Sequence, residues 1–359
     1  ASCEEYYNGA AWKKINNVAI PVYYRAVLYT GTGSSQTIVT GHQSDLIWIK
    51  QRTTVRPNVW FDSVNSSMFA SSNSKYLKSD SDAALTSNDS TQLTANSSTG
   101  FTLGTDSSDQ VNHSGSTAVA HSWKANGAGS SNTDGSITST VSANTTAGFS
   151  IVTGTQNASG SWTVGHGLGV APAFYIVKTT GATSDWYLWH HSLGGATDGE
   201  KFLRLNNVAV SPANDSTVWN NTAPTSSVFS MGSNIWNDSA TFVAYCWAEV
   251  PGFSKFGKYN GNGQQSDNAF VYTGFAPSLL IIKRQDQSTN WVMFDAARDP
   301  YNVATKVLLP DNSAAETSGS QKIDFLSNGF KIRSSGNNTG DSSPYFYMAF
   351  AEAPLVGSN

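Results

Sequence analysis

The sequence predicts an all-β chain of three tandem antiparallel β-sandwich repeats, and three observations carry that prediction. A ten-residue phrase is written three times, as "GHQSDLIWIK" at 41–50, "GVAPAFYIVK" at 169–178 and "GFAPSLLIIK" at 274–283. Nearly every apolar segment is short, rich in β-branched and aromatic residues, and bounded by Gly, Asn, Ser or Pro, as strands and turns are. Helical spacing is nowhere sustained.

Aligned on the lysine, the phrases stay in step without a gap for more than twenty residues. Gly41, Gly169 and Gly274 share a column, as do Ser44, Pro172 and Pro277, and then Lys50, Lys178 and Lys283. Eleven residues on stand Phe61, Trp189 and Phe294, followed by Asp62, His190 and Asp295. "SLLIIK" and "AFYIVK" are continuous apolar runs, which suit a central strand covered on both faces. Further landmarks recur with small length changes, as expected when loops vary and strands do not. They are "KYLKS", "KFLRL" and "KVLLP", then "GFTLG", "VFSMG" and "GFKIR", then the apolar closing segments "TAVAHSW", "TFVAYCWAE" and "YFYMAFAE".

The repeats are placed at 27–126, 148–254 and 255–359, each with the six or seven strands of a small sandwich. Residues 127–147, within the Gly/Ser/Thr/Asn stretch "KANGAGSSNTDGSITSTVSANTTAG", read as a linker with almost nothing to bury. Residues 1–26 match no part of the repeat, and Tyr6, Tyr7, Trp12, Tyr23 and Tyr24 mark them as a docking segment.

Composition narrows the function classes. Of 359 residues only 13% are charged, whereas 11 Trp, 14 Tyr and 17 Phe are too many large apolar groups for a disordered chain. A net charge of -4 and no Lys/Arg cluster argue against a nucleic-acid partner. No apolar run reaches the length of a membrane span, so membrane insertion is not expected. The opening residues also lack the layout of a secretory leader.

No recurring pair of carboxylates suggests glycosidase work, and no nucleophile elbow, phosphate loop or zinc-protease motif is present. The expectation is therefore a non-enzyme without cofactor or metal. The lysine column reads as strand-end cations facing water or pairing with the acid twelve residues on, Lys50 with Asp62 and Lys283 with Asp295. His190 and His191 are neighbours expected on opposite faces of a strand, a poor arrangement for a metal. Asp80, Asp82, Asp106 and Asp109 lie in acidic turns read as solvated, with calcium the rival account. Cys246, in the column of Ser122 and Ala349, reads as an inert core thiol; a bridge to Cys3 is the alternative. Trp219 and Trp236 are aromatics that the repeat does not require. They are the candidate ligand-binding residues, each offering a flat face to a sugar ring, with packing against a neighbour as the rival role.

Taken together, "TGxxPxLxxIK", "WxxFD", "GFxL" and "xxAYCWAE", with "NTDGSITSTVSANTTAGFSIVTGT" and "FLSNGFKIR", resemble a repeat of large structural, tail-fibre-like virion proteins of marine bacteriophages. The resemblance implies a concanavalin A-like or laminin-G-like jelly-roll sandwich and a place in an extracellular virion among other virion proteins. It transfers no site residue. The expected function is a tail fibre or host-contact protein, often a homotrimer, that meets host cell-surface glycan. Capsid decoration or head fibre and a secreted lectin-like adhesin are the alternatives. The first repeat departs most, with Ser44 where proline stands and "HSWKANG" for "YCWAEVPG".

Overall fold

The computed structural model describes residues 22–69, 74–86, 91–156, 160–194, 199–209, 215, 217–233, 235–236 and 239–352. It also gives the backbone of strands Glu5–Tyr7, Trp12–Lys14 and Ala213–Asn214, the first two of which pair with each other. The regular structure of the described chain is almost entirely antiparallel β, and the three repeats share one topology. In each, a lysine strand (Leu46–Gln51, Phe174–Thr179, Leu279–Arg284) lies between a closing strand (Thr117–Trp123, Thr241–Trp247, Pro344–Phe350) and a partner strand (Val59–Asp62, Tyr187–His190, Val292–Asp295). An opening strand (Tyr24–Thr30, Phe149–Thr155, Ser254–Asn260) pairs with the far side of the closing strand.

A second, smaller sheet completes each sandwich. Gln36–Val39 pairs with Gly100–Leu103, Trp162–Gly165 with Val228–Met231, and Phe270–Tyr272 with Gly329–Ile332. The recurring Phe101, Phe229 and Phe330 are buried on these strands. The glycine column is explained at its turn. Gly41, Gly169 and Gly274 have φ of 81°, 74° and 86°, a left-handed conformation in which a side chain is strained.

Every residue of the three lysine strands is buried, because each strand is covered on both faces. The second repeat separates those faces cleanly. Tyr175 and Val177 point into that repeat's own core with Trp219 and Phe229, whereas Phe174 and Ile176 point out of it into a second, larger core. All three repeats contribute to the larger core, and its centre lies where their closing strands end. Trp123, Trp247 and Phe350 occupy one column, and their ring centroids stand 6.1, 5.7 and 6.3 Å apart, each touching the other two. The repeats are thus arranged around a pseudo-threefold axis rather than in a row. Each of these aromatics gains about 1.5–3 kcal/mol from burial, so the seam is a substantial share of stability.

Two expected boundaries change. Residues 127–147 are not a linker: Ser130–Asn132 and Ser139–Asn144 are strands, and the latter pairs with Phe149–Thr155, extending the second repeat's main sheet. A Ser/Thr-rich stretch needs little apolar surface when the ladder of an existing sheet satisfies its backbone. Tyr24, assigned to the docking segment, is fully buried in the first strand of repeat one, and the amides of Tyr23 and Tyr24 donate to the Glu352 carbonyl. Tyr6, Tyr7 and Trp12 carry side chains outside the described residues.

Candidate functional site

The lysine column does not face water. Lys50, Lys178 and Lys283 are fully buried, and each ammonium donates to a main-chain carbonyl six residues on in its own repeat: Arg56 at 2.6 Å, Ser184 at 2.9 Å, and Thr289. Each also donates to a carbonyl from a loop of another repeat: Lys50 to Ser313 at 2.9 Å, Lys178 to Asp82 at 3.0 Å, Lys283 to Val208 at 3.4 Å. The third repeat's loop therefore serves the first lysine, the first repeat's loop the second, and the second repeat's loop the third. Burial pulls all three ammonium groups down to about 8, opposed by nearby carboxylates. The expected pairings of Lys50 with Asp62 and Lys283 with Asp295 are absent, because a strand covered on both faces leaves its terminal lysine only buried acceptors.

Eight residues after each lysine, a second column repeats the same cyclic contact. Asn58 donates to the carbonyls of Leu309 and Asn312, both at 3.0 Å; Trp186 donates to Lys78 and Ser81 at 2.9 and 3.0 Å; Trp291 donates to Arg204 at 2.9 Å.

The acid column also sits between repeats. Asp62 accepts from the Tyr245 hydroxyl at 2.9 Å, and burial raises its carboxyl to about 6 against the Asn65 amide, Tyr245 and the Val64 amide. His190 packs its ring on Phe346 at 5.0 Å, and burial lowers it to about 3. Asp295 is buried with Arg298. Burial pushes the Asp295 carboxyl up, but the Arg298 guanidinium and the neighbouring His121 outweigh it and hold the group below the usual range. Arg298 also reaches Glu316 at 3.2 Å, which pairs with Arg52 of the first repeat at 2.8 Å. His121 Nδ1 shares a hydrogen bond with the Tyr24 hydroxyl at 2.8 Å, and the ring stands 3.7 Å from Asp295; burial lowers it to about 4, so it is neutral there at pH 7.

The first repeat's departures from the pattern form one cluster. Ser122 donates to Ser44 at 2.8 Å and lies 3.0 Å from His42. All three are buried. Sealed from solvent, this cluster occupies the columns held by Pro172 and Cys246 in the second repeat and by Pro277 and Ala349 in the third, all of them buried. Cys246 itself is a free buried thiol whose ionisation burial pushes far up, as its column implied; Cys3 lies outside the described residues.

The candidate sugar platforms are placed otherwise. Trp219 is fully buried, edge-on to Tyr175 at 5.0 Å, so it has no face to offer a ligand. Trp236 is half-buried and stacked on Phe242 at 5.7 Å. Surplus tryptophans here fill the second repeat's own core. The acidic turns consume their carboxylates locally. Asp106, which is buried and not solvated, accepts the Val111 and Asn112 amides at 2.6 and 2.7 Å; Asp80 accepts the Asn58 amide at 2.8 Å. The exposed Asp82 lends its carbonyl to Lys178, and Asp109 pairs with His113 at 2.7 Å. Among the described residues no three His, Cys, Asp or Glu gather as a cation would require, and no helix is long and apolar enough to cross a membrane. His190 and His191 stack at 5.0 Å, but their Nε2 atoms address different carbonyls, Tyr347 at 3.4 Å and Phe256 at 3.0 Å.

Sequence reasoning missed a cleft of about 920 Å³ between the first and second repeats. One wall is the face of the second repeat's main sheet that looks toward the axis. Along Phe149–Thr155 that face presents Ile151 to the central core and then Thr153 and Thr155 to the cleft, with Thr140 opposite Thr153 and Thr241 opposite Thr155. Phe242 and Ile137 supply apolar surface at its edge, and Lys75 and Leu85 of the first repeat form the opposite wall. The signal was the concentration of threonines in the supposed linker.

No curated protein matches the chain. The family described as a domain of unknown function, DUF7483, matches residues 21–354, which span all three repeats and the strands between the first two. The ring of three sandwiches is therefore the body of that domain, and the chain belongs to the DUF7483 family.

Proposed function

We propose that the chain is a non-enzymatic structural protein of a bacteriophage particle, acting as a tail-fibre or host-surface contact protein. The observation that carries this reading is the use made of the three repeated columns. The glycines set turns, the lysines and their companions at plus eight fasten one repeat to the next, and the aromatics close the axis. Each acts in packing or fastening, with none left for turnover. A protein that must hold its outline while a particle meets a cell benefits from repeats fastened to one another in this way. The sequence resemblance to tail-fibre-like virion proteins supports the same reading.

The test is imaging. Antibody raised against the purified chain should label the tail of intact particles, and the purified chain should compete with them for adsorption. Label over capsomers would replace the host-contact reading with capsid decoration. Absence of the chain from purified particles would overturn both, and light scattering tests the homotrimer expected for a fibre. A lectin-like glycan-binding module is the second reading, favoured by one specific observation, the hydroxyl-lined cleft.

A further inference from the structure

We infer that the cleft between the first and second repeats binds a carboxylated saccharide. The inference deepens the host-contact reading by naming what would be contacted, and rests on it only for biological meaning. Thr138, Thr140, Thr153 and Thr155 line the cleft and make no side-chain hydrogen bond among the described residues. Threonine hydroxyls both donate and accept, which matches the alternating needs of sugar hydroxyls.

Charge selects within that class. Among the described residues Lys75 is the one charged residue lining the cleft, and no described carboxylate lines it. Its ammonium has no acceptor among the described residues, whereas Lys306, in the same column of the third repeat, donates to the Arg298 carbonyl at 2.6 Å and pairs with Asp299 at 3.3 Å. A lone cation amid neutral hydroxyls suits one carboxylate on a hydroxylated ring; a phosphate chain or nucleic acid calls for several cations. The apolar edge at Phe242 and Ile137 takes the C–H face of the ring. The size of the cleft is that of ligand sites holding a small oligomer.

Tri-galacturonate, titrated into the full chain by calorimetry, should bind saturably and more weakly as salt is raised. Tri-galactose should bind at least tenfold more weakly. Lys75→Gln should lose about tenfold in affinity for tri-galacturonate and little for tri-galactose, the loss of one charge-assisted hydrogen bond. Thr153→Val, nearly isosteric, should weaken both with the melting temperature unchanged. Equal binding of the two sugars, unchanged affinity in Lys75→Gln, or no saturable binding of tri-galacturonate would each overturn the inference. Failed immunolabelling of particles would leave this binding intact and sink only the host-contact reading, while failed binding with tail labelling preserved would sink only this inference.

Discussion

The junction between repeats three and one differs sharply from that between repeats two and three. The first holds a buried ionic group, with Asp295, Arg298 and Glu316 meeting Arg52 across the repeat boundary. At the second, the same column offers neutral His190 against Phe346. Repeats two and three are joined by a few residues, since Thr241–Trp247 is followed almost at once by Ser254–Asn260, so their registry is largely set by the chain. Repeats three and one are far apart in sequence. An ionic network there penalises misregistered closure, because a charge buried without its partner is costly. Packing supplies the attraction at both junctions, and charge supplies registry where covalent proximity does not.

The comparison breaks most readily at Arg298. Arg298→Ala should cost about 3–5 kcal/mol in urea unfolding, by stranding Asp295 in the interior without its guanidinium partner, whereas His190→Phe should cost less than about 1.5 kcal/mol as a change of similar volume. Equal losses would remove the distinction between the junctions. Lys178→Met is expected to cost about 2 kcal/mol, since the Ser184 and Asp82 carbonyls lose a buried donor. Similar losses in Lys50→Met and Lys283→Met would show the fastening to be common to all three junctions.

Acid sharpens the contrast further. The unfolded chain accepts a proton on His190 below about pH 6.5, while the buried ring, held at about 3, refuses it. The unfolded state then binds more protons, so this group makes stability fall as pH drops from 6.5 toward 3. By pH 5 that amounts to about 2 kcal/mol. His190→Phe should therefore flatten the acid limb by that much relative to wild type, measured by unfolding at pH 7 and 5. Asp62 opposes the trend in both proteins: its carboxyl, raised to about 6, keeps a proton in the folded state that the unfolded chain releases above its usual value near 3.8. The smallest expected effect is Gly169→Ala, about 1 kcal/mol, because an added Cβ meets nothing within 4 Å and only the left-handed backbone is strained.

Local features were legible in the sequence. The glycine column announced its turns, the apolar runs announced strands covered on both faces, and the repeat spacing announced three copies of one topology. The burial of the lysines was implied by the same runs, since a strand with no exposed face has none for its last residue either. It was obscured by the general habit of lysine to sit in water. The cyclic closure was not legible. It depends on which distant loop meets Asn58, Trp186 or Trp291, and spacing within a repeat does not encode that. Trp219 misled because a tryptophan lacking counterparts in the other repeats looks spare, although here it fills volume beside Tyr175. Thr138 and Thr140 misled in the opposite sense: read as linker, they join Thr153 and Thr155 of the second repeat in a wall.

Asp82, Val208 and Ser313 have little in common as side chains, yet each presents the same carbonyl to a lysine. Because the joint grips the polypeptide backbone, these loops can exchange residue types freely without loosening the ring. A lineage under pressure to alter its outer surface could diversify such segments at almost no mechanical risk, and novelty should collect there before it reaches the strands.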